Sequence, residues 1–245
     1  MLFRKYLAAG MLLFLAGCMA TGKLPKNATD AEMYQYAITE AMSPNPSKVY
    51  NELVPVTQQN PDLSWKNFNG EDYVLVVSWK WSDSIYKPYI DSAFFNTQRW
   101  PIWVTTSPQL LKRMQEGNYT DTNKRLLQLL GLPPNAEYNY FVEFWVRPAD
   151  LFRPCPDPEI TDEVCSLCFP DNISASHKDF INSNRVSRYY PCELYNKYPW
   201  TQLGYTYDWN PANTKHIGLS EFVIGTNTDI KVKATYTTWE YLQKR

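Results

Sequence analysis

Apolar and polar positions alternate most clearly over Tyr73–Trp81, where Tyr73, Leu75, Val77, Trp79 and Trp81 share one face. Side chains two apart along a strand point the same way, so this spacing predicts a β-strand. Val74 and Val76 make its second face partly buried, and Asn69-Gly70 ahead of it marks a turn. A shorter strand is predicted at Ile102–Thr105, and an aromatic- and valine-rich one at Tyr140–Arg147. Near the C-terminus Ile230, Val232, Ala234 and Tyr236 alternate with Lys231, Lys233, Thr235 and Thr237, which predicts a half-buried strand with one wet face. Leu219–Ile224 and Asp229–Trp239, separated by Gly225-Thr226-Asn227-Thr228, together predict a closing hairpin.

Helical spacing is confined to shorter stretches. Thr29 followed by Glu32 forms a capping-box pattern ahead of Met33, Ala37, Ile38, Ala41 and Met42, and Pro44 and Pro46 stop that helix near Ser43. Ser107 caps a second helix with Pro108 at its first position and Gly117 past its end; a third runs from Thr122 to Leu130, closed by Gly131. Residues 148–200 carry seven prolines and no strong period, which predicts an irregular insert. The order of elements predicts an α+β fold: a mainly antiparallel sheet, a few short helices and a disulfide-stapled, proline-rich insert. We read residues 29–245 as one domain, with a cysteine-rich excursion at about 148–200.

Composition supports a folded chain: 16% of residues are aromatic and 44% are hydrophobic, too many for a disordered segment. The N-terminus is a separate unit. Arg4 and Lys5 precede an apolar run from Tyr6 to Ala16, too short for the about 20 residues of a membrane-spanning helix but suited to a cleaved export signal. Leu15-Ala16-Gly17-Cys18 at its end resembles the lipobox of bacterial lipoproteins. That resemblance covers the export signal alone. It implies cleavage before Cys18, acylation of the Cys18 thiol, and residues 18–28 serving as a tether. Cleavage after Ala20 is the alternative. Met19 follows the cysteine in place of the aspartate that retains many such proteins at the inner membrane, so the resemblance implies an outer-membrane destination in a Gram-negative host.

On loss of Arg4 and Lys5 the 24 basic residues fall to 22 against 25 acidic ones, a formal charge of −3. That balance excludes a basic nucleic-acid stripe and leaves membrane attachment to acyl chains. In an exported chain the other four cysteines, Cys155, Cys165, Cys168 and Cys192, read as two disulfides in any of three pairings. Four-thiolate zinc is the weaker alternative, because Cys165 and Cys168 have ligand spacing while the second pair is split. No metal or cofactor is expected.

Catalytic candidates are few. His216 lies near Asp208 and Ser220, the residue types of an acyl-transfer triad, though no nucleophile-elbow motif accompanies them. His177 reads as a solvated loop residue. Glu143, Asp208 and Glu221 are candidate carboxylates for sugar hydrolysis, Glu143 reading better as a partner of Arg147. Arg147 and Arg153 bracket Asp150, which predicts a local ion pair. Acidic residues at 157, 159, 162 and 163 predict a solvated loop. Trp200, Tyr205, Tyr207 and Trp209 form an aromatic stretch that makes a binding platform if exposed and core if buried. These features point to a noncatalytic, lipid-anchored envelope protein binding an envelope protein or a glycan. A lipid-anchored hydrolase using His216 with Asp208 and Ser220, or a carboxylate pair, is the alternative.

Overall fold

The computed structural model describes residues 27–92 and 94–244; Cys18 and the lipobox lie outside the described residues. The chain opens with helix α1 (Asp30–Ala41), then the hairpin β1 (Trp65–Phe68) and β2 (Glu71–Lys80), the two-residue strand β3 (Phe95–Asn96) and β4 (Ile102–Thr106). Helices α2 (Ser107–Gln115) and α3 (Thr122–Leu129) follow, then β5 (Tyr140–Val146), β6 (Leu151–Phe152) and α4 (Ala175–Tyr189). Strands β7 (Tyr205–Tyr207), β8 (Ile217–Ser220), β9 (Phe222–Ile224) and β10 (Asp229–Thr237) lead to α5 (Thr238–Leu242). The fold is α+β with a mainly antiparallel sheet, as the sequence predicts.

One curled sheet dominates, in the order β3-β10-β5-β2-β4-β9-β6, with β1 on the first half of β2. Every pairing in it is antiparallel. Phe68 faces Glu71, so Asn69-Gly70 closes β1–β2 as a two-residue turn with φ of 54° and 90°. Only glycine and a few polar residues take positive φ at low cost, so this dipeptide sets the register of β2. Strand β2 is buried on both faces, more than its alternation predicts: Val74 and Val76 are as inaccessible as Val77. One sheet face packs Val74, Val76, Val142 and Phe144 against Val104, Phe222 and Ile230. The opposite face sets Val77, Trp79 and Phe141 under a helical layer, to which α1 gives Ile38, α2 Leu110, α3 Leu126 and α4 Ile181.

The capping signal for α1 acts as expected, and α3 has a cap that was not among those expected. Thr29 and Glu32 form a complete capping box, and Asp121 accepts from the Lys124 amide at the start of α3. Ser107 does not cap α2: Thr106 holds the cap position, and the Ser107 hydroxyl donates to Glu143 at 2.6 Å.

The predicted hairpin is corrected. Strand β9 pairs with β4 on one edge and β6 on the other, whereas β10 pairs with β5 and β3. A strand has two edges; both edges of fully apolar β9 are taken, so β10 adds to the sheet elsewhere. Residues 148–200 are also less irregular than predicted, since they hold the 15-residue α4. Its signal was a cap, Ser174, without a clean apolar stripe.

The two-disulfide expectation is half corrected. Cys155 and Cys165 are bonded, with Cα atoms 6.4 Å apart, while Cys168 and Cys192 are free and exposed. These last two flank α4, whose 15 residues carry the chain about 22 Å. Disulfides need Cα atoms within about 7 Å.

Candidate functional site

Asp208, His216 and Ser220 come from one neighbourhood but do not assemble a triad. Arg125 clamps the Asp208 carboxylate with two bonds of 2.8 and 2.7 Å, and Asn213 and the Asn210 amide fill its remaining sites. His216 Nδ1 donates to the backbone carbonyl of Asp208 at 2.9 Å, and its ring stacks on Tyr207. Ser220 Oγ accepts the Val54 amide at 2.8 Å. Each side chain is committed to holding loops, and no base faces the hydroxyl. The triad candidates are therefore structural. His177, expected in a solvated loop, is buried in the first turn of α4, where Nε2 donates to the Cys155 carbonyl at 2.8 Å.

Glu143 does not partner Arg147. It is fully buried and bound by Ser107, Lys244 and Lys233. Burial alone would raise its carboxyl, but the bonds from Lys244, Ser107 and Lys233 outweigh burial and hold it below the usual carboxylate range. Arg147 pairs instead with Asp150 at 2.7 Å, the local ion pair expected. Arg153 is wholly buried and binds Asp162 together with the carbonyls of Val54, Ile160 and Asp162, so the acidic loop is not simply solvated. Among the described residues no cluster of histidine, cysteine and carboxylate ligands could hold a metal.

The aromatic stretch is core, not an exposed platform: Trp200, Tyr205, Tyr207 and Trp209 are all buried. Backbone carbonyls anchor three of them, Trp200 Nε1 on Pro154 and Trp209 Nε1 on Leu132, both at 3.0 Å, and the Tyr205 hydroxyl on Lys48 at 2.8 Å. Trp200 and Tyr207 nevertheless reach the wall of a cavity of about 450 Å³. This cavity lies between the sheet and the helical layer, where β2 and β4 meet the end of α3, α4 and the segment 198–200. Its volume falls in the range of small-molecule sites. Trp79, Trp103, Trp200, Tyr138 and Tyr198 form aromatic wall, and exposed Trp81 and Ile85 stand at its rim.

Three charged residues line it: Lys80 from the end of β2, Arg188 from the last turn of α4, and Glu221 between β8 and β9. Glu221 sits where the chain passes from the small β7–β8 sheet into β9, and its amide donates to the Gly204 carbonyl. The guanidinium of Arg188 lies against two aromatic rings, 4.9 Å from the Trp103 centroid and 4.6 Å from that of Tyr198. Among the described residues no ion pair joins any of the three, and their side-chain polar atoms make no hydrogen bond. All three are partly reached by solvent, as groups in an open concavity are. Being walled by protein pushes Glu221 up to about 8, against a smaller opposing pull from Arg188, and pushes Lys80 down to about 8. Tyr86, Tyr138, Tyr198 and Tyr207 complete the titratable lining.

Among the candidate carboxylates only Glu221 enters the cavity; Glu143 and Asp208 are sealed elsewhere. Glu221 was legible in the sequence as a candidate carboxylate, whereas Lys80, Arg188 and Trp103 were not, because nothing in linear order links them. Comparison with family models, curated proteins and solved structures finds no match.

Proposed function

We propose that the protein is a noncatalytic, lipid-anchored envelope protein that binds a glycan through the aromatic cavity. The observation that carries this reading is a cavity of small-ligand size, walled by tryptophan and tyrosine faces, with free polar groups among them. Flat aromatic rings stack on the apolar faces of sugars while scattered polar groups orient the hydroxyls. A single carboxylate in the cavity supports binding over glycoside hydrolysis, which uses two across the sugar ring. The triad candidates, each committed to holding loops, likewise give no support to an acyl-transfer hydrolase.

The lipobox-like Leu15-Ala16-Gly17-Cys18 supports the anchor, and the near-neutral surface is compatible with attachment by acyl chains alone. The test is tryptophan fluorescence titrated with soluble oligosaccharides released from bacterial envelopes. Saturable quenching that Trp103→Ala weakens by about tenfold or more is expected. Absence of saturable binding across neutral and acidic fractions overturns the reading.

A further inference from the structure

Two basic side chains and one carboxyl line this cavity, and among the described residues none of the three has an ion-pair or hydrogen-bond partner for its side-chain polar atoms. Buried or walled charges are ordinarily paired, because desolvation of an unpaired one is costly. Elsewhere this chain obeys that rule: Arg125 is matched to Asp208, Arg153 to Asp162, and Lys233 and Lys244 to Glu143. Lys80 and Arg188 break it together and at one place. The aromatic contacts of Arg188 with Trp103 and Tyr198 use none of its N–H donors, so a complete donor fork remains on offer.

We propose that the ligand is an anionic sugar, whose carboxylate or phosphate is taken by Arg188 and Lys80 while its ring stacks on the aromatic wall. This rests on the glycan reading above and adds the acid group to it. A planar guanidinium matches either oxyanion with two parallel bonds, and lysine adds a compact second charge. Glu221, in its protonated form, offers one O–H donor and an acceptor to the sugar hydroxyls, and in that form it does not repel the acid. The exposed Trp81 and Ile85 at the rim leave the ring an apolar approach.

The experiment titrates the folded protein with three probes that share a ring and differ at one carbon: glucose, glucuronate and glucose 6-phosphate. Amide chemical-shift mapping reads the affinity, and Arg188→Gln, Lys80→Gln and Trp239→Ala are compared with the wild type. Trp239 is exposed on α5, outside the cavity, and serves as the control. The proposal expects at least one acid to bind about tenfold or more tighter than glucose, the worth of one charged hydrogen bond. That preference should vanish in R188Q, shrink in K80Q and persist in W239A. Preference for glucuronate alone or the phosphate alone identifies which acid the cavity takes. Equal binding of glucose and both acids overturns the proposal and leaves the glycan reading standing. No binding by any of the three overturns both. Retained acid preference in R188Q and K80Q, with shifts outside the cavity, also overturns the proposal.

Discussion

Asp208 has its acceptor positions filled by Arg125, Asn213 and the Asn210 amide, in a place sealed from solvent. Removing one partner of such a pair leaves the other charge buried and uncompensated. Asp208→Ala should therefore cost about 3–5 kcal/mol in denaturant unfolding. A loss under about 1 kcal/mol would show that the clamp is not structural. Glu221 behaves in the opposite way. Its folded-state value is raised, so its contribution to stability is complete below the unfolded value near 4.5 and is lost as pH climbs through about 8. Lys80 is lowered, so its contribution is complete above the unfolded value near 10.5 and is lost as pH falls through about 8. The charged form of each group therefore costs the fold stability. Glu221→Gln should match the wild-type Tm near pH 4.5 and exceed it above pH 8, where the wild type must hold an ionised carboxylate. Each kcal/mol recovered is worth about 2–4 °C in a chain of this length. Equal Tm differences at both pH values would contradict the desolvated placement of Glu221.

Helix α4 joins packing to the site. Ser174 caps it, Ile181 and Tyr189 enter the core, and its last turn delivers Arg188 to the cavity. Ser174→Ala should lower stability by about 1 kcal/mol, measured by urea unfolding, while leaving ligand affinity within about twofold. A large affinity loss without destabilisation would place Ser174 in binding. The bonded pair Cys155–Cys165 fixes the loop against which His177 packs, through its bond to the Cys155 carbonyl. Replacing both cysteines by serine should cost about 2–4 kcal/mol, because the closed loop no longer restricts the unfolded chain. Replacing Cys168 and Cys192, both free and exposed, should leave the unfolding midpoint unchanged. The contrast between the two double variants is the readout.

At the scale of the whole molecule, two cores share one curled sheet, and the cavity opens where the sheet meets the helical layer. The summed charge of that cavity sets how strongly it would hold the proposed acid. Below pH 8 Lys80 is charged and Glu221 is neutral; above it Lys80 is neutral and Glu221 is charged. Affinity for an anionic sugar should therefore fall as pH rises through about 8, while affinity for a neutral sugar changes little. A pH-independent acid affinity would show that the two groups do not face the ligand. The anchor is testable by itself: Cys18→Ser should abolish palmitate labelling and move the protein from the membrane pellet to the soluble fraction. Persisting label would exclude acylation at that thiol.

Features set by near neighbours were legible in the chain. Thr29 and Glu32 announced α1, Asn69-Gly70 announced a turn, and alternation over Tyr73–Trp81 announced the long central strand. These depend on contacts a few residues apart, which composition and spacing record directly. Strand partnership was not legible: β9 and β10 look like a hairpin until both edges of β9 are seen to be occupied by β4 and β6. Pairing of like residue types was not legible either, since four cysteines in one region gave one bond. The site was the least visible of all. Proximity in sequence suggested Asp208, His216 and Ser220, which the fold spends on holding loops, whereas Lys80, Arg188 and Glu221 lie far apart in the chain and meet around one cavity. The sequence by itself determined the α+β class, because that class resides in local patterns. The tertiary structure alone decided which charges are paired and which are left unpaired around the cavity, because desolvation and pairing depend on neighbours that linear order does not contain.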